Sequence, residues 1–285
     1  MLGLRVRSCG DPSTDPTGRG RAATVTWSTG LLGFTAGLPI ATVTAPVGVS
    51  GAVFLLPVQL SVLHVPSPAV TPTNLLFNIV SGPGALLRYR RHGHLDGPLT
   101  RLLLLGTLPG VIIGAIIRVF AIPGQHGFKL VIAGVLLPLG LWLCGQALRP
   151  ARQRPARPLA SRTIAGLALV VGVVGGIYGI GGGSLLGPIL VGRGHPVTRV
   201  APAALTSTFV TSIVGPVTYT LIGLTTAGDI APDWGLGLLC GLGGLIGGYL
   251  GARLQHRLPE TVLRVLLGVL ATALALLYLR QGITT

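Results

Sequence analysis

The chain has 285 residues, of which only 9% are charged and 49% are hydrophobic, and its mean hydropathy is +0.75. Soluble domains carry about 25% charged residues, so this composition excludes a soluble globule and predicts an all-α, multi-pass protein of the lipid bilayer. The formal net charge of +15 does not indicate a nucleic-acid partner, because the arginines do not gather on one amphipathic element or alternate with stacking aromatics. We expect the arginines to lie in the loops, as the positive-inside rule predicts.

A polar tail precedes the apolar part of the chain. Residues 1–22 are rich in Arg, Asp, Pro and Gly and contain no apolar core before a small-residue cleavage site. We therefore expect a disordered tail and no cleaved secretory signal. Ten apolar segments follow, and two of them are too short or too broken for ordinary spans, which predicts about eight full spans plus two broken or re-entrant segments. The segments run approximately over 24–45, 47–65, 69–87, 99–120, 128–147, 163–181, 184–192, 200–223, 234–252 and 262–280.

The polar tract 149–162 divides the membrane region near its middle. It is rich in arginine and proline, which is typical of a flexible, basic cytoplasmic linker. Five segments lie on each side of it, and corresponding positions in 23–148 and 163–285 resemble one another. We therefore predict two five-segment repeats. The matching features are Gly51 with Pro57 and Gly182 with Pro188, the prolines at 68–72 and 202, and Asp96 and Asp233 before glycine-spaced helices.

Loop charge bears on the relative orientation of the two repeats. The loop before Asp96 is basic, whereas its counterpart at 223–232 has no Lys or Arg and contains Asp229. Equivalent loops of opposite charge bias belong on opposite faces of the membrane, which favours an inverted repeat. That arrangement would put the arginines of the N-terminal tail outside, so a parallel arrangement of four spans and one re-entrant segment per half remains an alternative.

The glycine-rich stretch 175–188 is the strongest candidate for a functional site. Glycine at this density breaks a membrane helix, and irregular backbone at membrane depth is tolerated only where it is buried in protein or lines a cavity. The open end of a helix presents unpaired N–H groups to a small anion. The first-half counterpart, 47–57, is poorer in glycine. The alternative is close helix packing by small residues. The candidate backbone contacts are Gly51, Gly181, Gly182 and Gly183.

Uncharged side chains that follow the two breaks are candidate substrate contacts. Asn74 and Asn78 lie four residues apart, on one helical face, and Thr206 and Ser207 follow the second break. Neutral donors of this kind can replace the water shell of an anion. The alternative for Thr206 and Ser207 is a hydrogen bond to a carbonyl of their own helix.

Other small residues are expected to have structural roles. Pro57 and Pro188 accompany the breaks. Glycines at four-residue spacing let another helix backbone approach closely. This scaffold set contains Gly110, Gly114, Gly247 and Gly251.

Several functions are disfavoured by what the apolar segments do not contain. None of the six acidic residues lies within them, so we expect neither a carboxylate proton relay nor cation transport. The cysteines have no metal-ligand spacing, and we expect no metal and no cofactor. A role for His64 in proton coupling is the less favoured alternative to an interfacial position. Ser50 fits an intramembrane serine protease pattern, but no histidine base lies in a later segment, so we expect no enzyme activity.

The sequence resembles the sulfite exporter TauE/SafE family, also called TSUP, the 4-toluene sulfonate uptake permease-like transporters. The likeness covers about residues 29–280 and rests on 179–190, on the duplication, and on 91–96 before a Gly-xxx-Gly helix. It implies a bacterial cell-membrane permease or exporter of sulfite, other sulfur oxyanions, sulfonates or small organic acids. The alternative is a membrane scaffold or maturation factor that moves nothing. A homo-oligomer is left open.

Overall fold

In the computed structural model, helices account for the regular structure of every part that is described. The described residues are 27–45, 49–83, 86, 97–148, 159–193, 195, 197–226, 228, 230–254 and 260–283, and no strand occurs among them. The predicted disordered tail at 1–22 and most of the predicted linker at 149–162 lie outside these residues. The all-α fold class is confirmed for the rest.

Bounds are given for ten helices within the described residues. The first half of the chain contains five of them, and the second half contains the other five. The first five are α1 (Trp27–Thr44), α2 (Ala52–Ser61), α3 (Val70–Ser81), α4 (Pro98–Phe120) and α5 (Gln125–Leu148). The second five are α6 (Ser161–Tyr178), α7 (Leu186–Gly192), α8 (Val197–Thr225), α9 (Trp234–Leu254) and α10 (Glu260–Ile283).

Within the described residues, six helices are long and apolar enough to cross a membrane: α4, α5, α6, α8, α9 and α10. The remaining helices are too short or insufficiently apolar, since α2, α3 and α7 have 10, 12 and 7 residues and α1 contains several threonines. The multi-pass character is confirmed, while the figure of eight full spans stays a prediction. Leu105, Val170, Leu221, Tyr249 and Leu266 are exposed, as side chains that face lipid would be.

Glycine rows bring two helix pairs into backbone contact. A Cβ added at Gly106 would lie 2.6 Å from the carbonyl oxygen of Ala165, and one at Gly110 would lie 2.5 Å from that of Leu169. Gly114 faces the next turn of the same helix, so α4 runs parallel to α6. Small residues at a helix interface let two backbones approach this closely. In the same way Gly243, Gly247 and Gly251 of α9 face the carbonyl oxygens of Phe34, Leu38 and Thr42 in α1.

The other contacts define the directions of the central helices. Gly237 and Gly241 of α9 pack on Leu76 and Val80 of α3, so these two helices are parallel. The pair α3 and α8 is antiparallel, because Gly215 faces Leu75 whereas Gly82 faces Phe209. The pair α5 and α10 is antiparallel as well, through Gly140 with Thr272 and Gly282 with Leu130.

Candidate functional site

The second helix break, the irregular segment in the second half of the chain, begins where α6 ends at Tyr178. Gly179 and Gly181 have φ of 84° and 75°, in the left-handed region that L side chains rarely adopt. The N–H of Gly179 donates to the carbonyl of Gly175 at 2.8 Å, which closes the last turn of the helix. A Cβ at Gly179 would lie 2.5 Å from the carbonyl oxygen of Thr71 in α3. Glycine is therefore required here both by backbone conformation and by the approach of α3.

The first helix break lies between α1 and α2, and its backbone conformation is simpler. Ser50 precedes α2, and its hydroxyl accepts from the N–H of Ala52 at 3.3 Å. Gly51 has φ of −57°, an ordinary helical value, and a Cβ there would lie 3.1 Å from the ring of Phe77. Pro57 lies inside α2, and its carbonyl accepts from the hydroxyl of Tyr278 at 3.3 Å. This break therefore depends on a serine cap rather than on left-handed glycine.

Asn74 and Asn78 of α3 join the two breaks. The side-chain N–H groups of Asn74 donate to the carbonyls of Ala52 at 2.8 Å and of Gly179 at 3.1 Å. Asn78 donates to the carbonyl of Ile180 at 3.2 Å and accepts from the hydroxyl of Ser50 at 3.0 Å. Each asparagine thus hydrogen bonds to both breaks, and both asparagine side chains are buried.

Two further hydroxyls extend this junction. Thr71, one turn before Asn74, donates to the carbonyl of Ile177 at 3.1 Å. Tyr178 donates to the carbonyl of Val53 in α2 at 2.8 Å. Carbonyls left open where α6 ends thus receive donors from one face of α3, and the two irregular segments form a single buried junction.

The opposite wall of the second break is formed by α8 and α4. The N–H of Gly182 donates to the hydroxyl of Thr211 at 2.9 Å, and a Cβ at Gly182 would lie 2.6 Å from that of Thr107. Gly183 packs directly against the carbonyl oxygen of Ala204, with no room for a side chain. Ser207 hydrogen bonds to Thr107 at 2.8 Å. Backbone and hydroxyl groups from two helices, α4 and α8, therefore converge on residues 181–183.

Some polar groups at this junction have no protein partner in the described residues. The side-chain oxygens of Asn74 and Ser212 are buried without a hydrogen bond. The N–H groups of Gly183 and Ser184, just before α7, make none within the described part of the chain either. A Cβ at Gly181 would lie 2.9 Å from the Ser212 hydroxyl, so this hydroxyl lies beside the second break. The two N–H groups and the Ser212 hydroxyl are neutral donors, whereas the Asn74 oxygen is an acceptor, and none of them carries a charge.

The model of the family described as "Sulfite exporter TauE/SafE" matches residues 31–278. The chain belongs to the sulfite exporter TauE/SafE family.

A named membrane protein is also similar to this chain. The chain is 29% identical over 210 residues to the "Probable membrane transporter protein YunE" of Bacillus subtilis (strain 168), a match that covers 66% of this chain and 77% of that protein. No solved structure matches the chain significantly. The family match and this relative identify a multi-pass membrane transporter, as the resemblance implied.

The predicted contact residues of this TauE/SafE protein differ in their surroundings. Gly181, Gly182 and Gly183 lie at the junction with Asn74 and Asn78, and Ser207 borders it through Thr107. Thr206 instead donates to the carbonyl of Pro202 in its own helix at 2.9 Å, which is the alternative considered from sequence.

Two other residues singled out from the sequence lie elsewhere or have other partners. His64 is exposed at the surface, as the interfacial interpretation expects. Ser50 bonds Asn78 and Ala52, not a histidine.

Sequence reasoning overlooked one charged residue. The expectation that arginines lie in loops is wrong for Arg118, which is fully buried in the last turns of α4. Its guanidinium donates to the hydroxyl of Thr71 at 3.3 Å, to the carbonyl of Ile122 and to the hydroxyl of Ser67, and it stacks 3.8 Å from the ring centroid of Phe128. A charge inside an apolar segment was the available signal, because such residues are rare and usually functional.

Proposed function

We propose that this protein is a secondary transporter of small anions, such as sulfite, other sulfur oxyanions, sulfonates or small organic acids. The observation that carries the proposal is the junction of two irregular segments by Asn74 and Asn78. Irregular backbone at membrane depth is typical of substrate sites in transporters. Because the nearby donors are neutral hydroxyl and backbone N–H groups, an anion can replace its water shell there without a buried acid repelling it.

We further propose that the two halves are inverted repeats. Helix pairing supports this, because exchanging α1–α5 for α6–α10 turns the pair α4 with α6 into the pair α9 with α1, and both pairs are packed by glycine rows. The equivalent helices α3 and α8 run antiparallel, as do α5 and α10. An inverted arrangement requires these opposite directions, whereas a parallel repeat would make equivalent helices run the same way.

Alternating access would then involve movement of one half relative to the other around the junction. Residues 181–183 would supply backbone contacts, with Ser207, Ser212 and the face of α3 around them. The hydrogen bonds from Asn74 and Asn78 to the backbone of the second half would be exchanged during that movement. In this account the asparagines hold the closed junction and contact the anion only when it opens.

Uptake into proteoliposomes tests the proposal. Purified protein is reconstituted, and the initial rates of labelled sulfite and sulfonate uptake are compared with those of empty liposomes. Gly182→Leu places a large side chain against Thr107 and should abolish uptake. Gly166→Leu is the matched control, because a Cβ there meets nothing within 4 Å, and it should keep the wild-type rate. A wild-type rate no higher than that of empty liposomes would contradict transport, and an unaffected Gly182→Leu variant would contradict the site.

A further inference from the structure

Arg118 carries a buried positive charge that no carboxylate of the described residues contacts. Its side chain is 0% exposed, and none of its contacts within the described residues involves an acid. Asp233, whose carboxylate accepts from the N–H of Leu236 at 3.0 Å, is held at the start of α9. A guanidinium stays charged under all ordinary conditions, so its burial destabilises the protein unless a negative charge compensates it.

The hydrogen bonds of Arg118 leave donors available. A guanidinium has five N–H groups, and three are used here, on Thr71, Ile122 and Ser67. One N–H therefore remains on each terminal nitrogen. Phe128 covers one face of the guanidinium plane, so an incoming group must approach from its edge or its other face. A guanidinium can donate one N–H from each terminal nitrogen to two oxygens of one oxyanion.

The contacts of Arg118 also connect it to the junction. Thr71 accepts from Arg118 and donates to the carbonyl of Ile177, two residues before Gly179. Thr71, Asn74 and Asn78 lie on one face of α3, and the seven residue steps from Thr71 to Asn78 span about 10 Å of helix. On the other side, Ser67 is only partly buried. Arg118 therefore lies between a partly exposed hydroxyl and the second break.

From this geometry we propose that Arg118 forms an anion-binding site next to the glycine junction through its two remaining N–H groups, while the hydroxyls of Ser67 and Thr71, which donate to the carbonyls of Pro123 and Ile177, hold the guanidinium in place. It would take a small oxyanion through two oxygens, supply the positive charge that the neutral donors at 181–183 lack, and discriminate against uncharged molecules of the same shape. The inference rests on the proposed transport function and deepens it by assigning the residue that selects for charge.

The test compares Arg118→Lys with Arg118→Gln. Lysine retains the charge but not the bidentate fork, so the KM for sulfite uptake should rise about ten-fold. Glutamine retains hydrogen-bonding groups but no charge, and uptake should fall below detection. Arg101→Gln is the matched control, since it removes an exposed arginine from the same helix and should leave the KM unchanged. In parallel, the melting temperature of the detergent-solubilised wild type should rise with added sulfite, and that of Arg118→Gln should not.

The outcomes separate this inference from the transport proposal. No uptake by the wild type contradicts transport itself. Wild-type uptake with an unchanged KM in both Arg118 variants contradicts the anion site and leaves transport intact. Equal loss in Lys and Gln variants, with a wild-type melting temperature insensitive to sulfite, would make Arg118 only a brace of the α4–α5 turn. If Arg118→Gln does not fold, the Lys variant and Ser67→Ala, with an expected two- to five-fold rise in KM, decide the question.

Discussion

The two helix breaks differ in their backbone conformation and in how closely neighbouring residues pack against them. The first, before α2, has an ordinary helical conformation at Gly51 and a cap from Ser50. The second, before α7, has left-handed glycines and is packed so closely by α8 that Gly183 contacts a carbonyl oxygen. A Cβ at Gly51 would require only a small shift of the Phe77 ring, whereas one at Gly183 would require the backbone of α8 to move. Their unequal glycine content thus corresponds to unequal tolerance, and the second break is the better candidate for precise substrate contacts.

The largest expected difference between the breaks is in the effect of an added methyl group. Gly183→Ala must displace the backbone at Ala204 and should lower the free energy of unfolding by about 3 kcal/mol. Gly51→Ala meets only the ring of Phe77, at 3.1 Å, which can shift, so less than about 1 kcal/mol is expected. Melting temperatures in detergent measure both. The matched control is Gly187→Ala, whose new Cβ would lie 3.6 Å from that of Ala204. Equal destabilisation by the variants at 51 and 183 would remove the distinction.

A smaller effect is expected at the residue that connects the breaks. Asn74→Ala leaves the carbonyls of Ala52 and Gly179 without their donor and should cost about 2 kcal/mol of stability. Because the loss affects both breaks, uptake should fall as well. Thermal unfolding and proteoliposome uptake measure the two effects. Wild-type stability in this variant would show that the amide does not hold the breaks together.

The smallest effects are expected within α8, where the same substitution can be made at two threonines. Thr211→Val removes the acceptor for the N–H of Gly182 and should cost about 1 kcal/mol. Thr206→Val removes only a bond to its own helix and should change stability by less than about 0.5 kcal/mol. The KM for uptake should change only in the Thr211 variant. A larger change in KM in the Thr206 variant than in the Thr211 variant would instead support Thr206 as a substrate contact.

Local sequence patterns predicted the positions of most helices well. The segment 99–120 became α4 with a shift of one residue, and Asp233 lies just before α9, whose first turn it caps. Four-residue glycine spacing is itself a statement about one helical face, so the packing role of Gly110 and Gly247 follows from it. The segment 47–65 was less accurate, because α2 occupies only its middle part, Ala52–Ser61.

Side-chain partners were less accessible to sequence reasoning. Asn74 and Asn78 were recognised as unusual, but their bonds to the carbonyls of the second break depend on how α3 crosses a segment about 100 residues away. Arg118 does not follow the prediction that the arginines lie in loops, because it lies inside α4. Its contacts with Ser67 and Thr71 form only when the end of α4 packs beside the start of α3.

The sequence alone determined that this is a multi-pass membrane protein and where its backbone breaks, because apolar segment length and glycine density are local properties that a bilayer constrains directly. Tertiary structure decided which carbonyls the asparagines contact, which break is tightly enclosed, and that a buried arginine borders the junction. Those features depend on the relative directions of α3, α4 and α8. Helix direction and distance between segments far apart in the chain are set by packing, which no local pattern encodes.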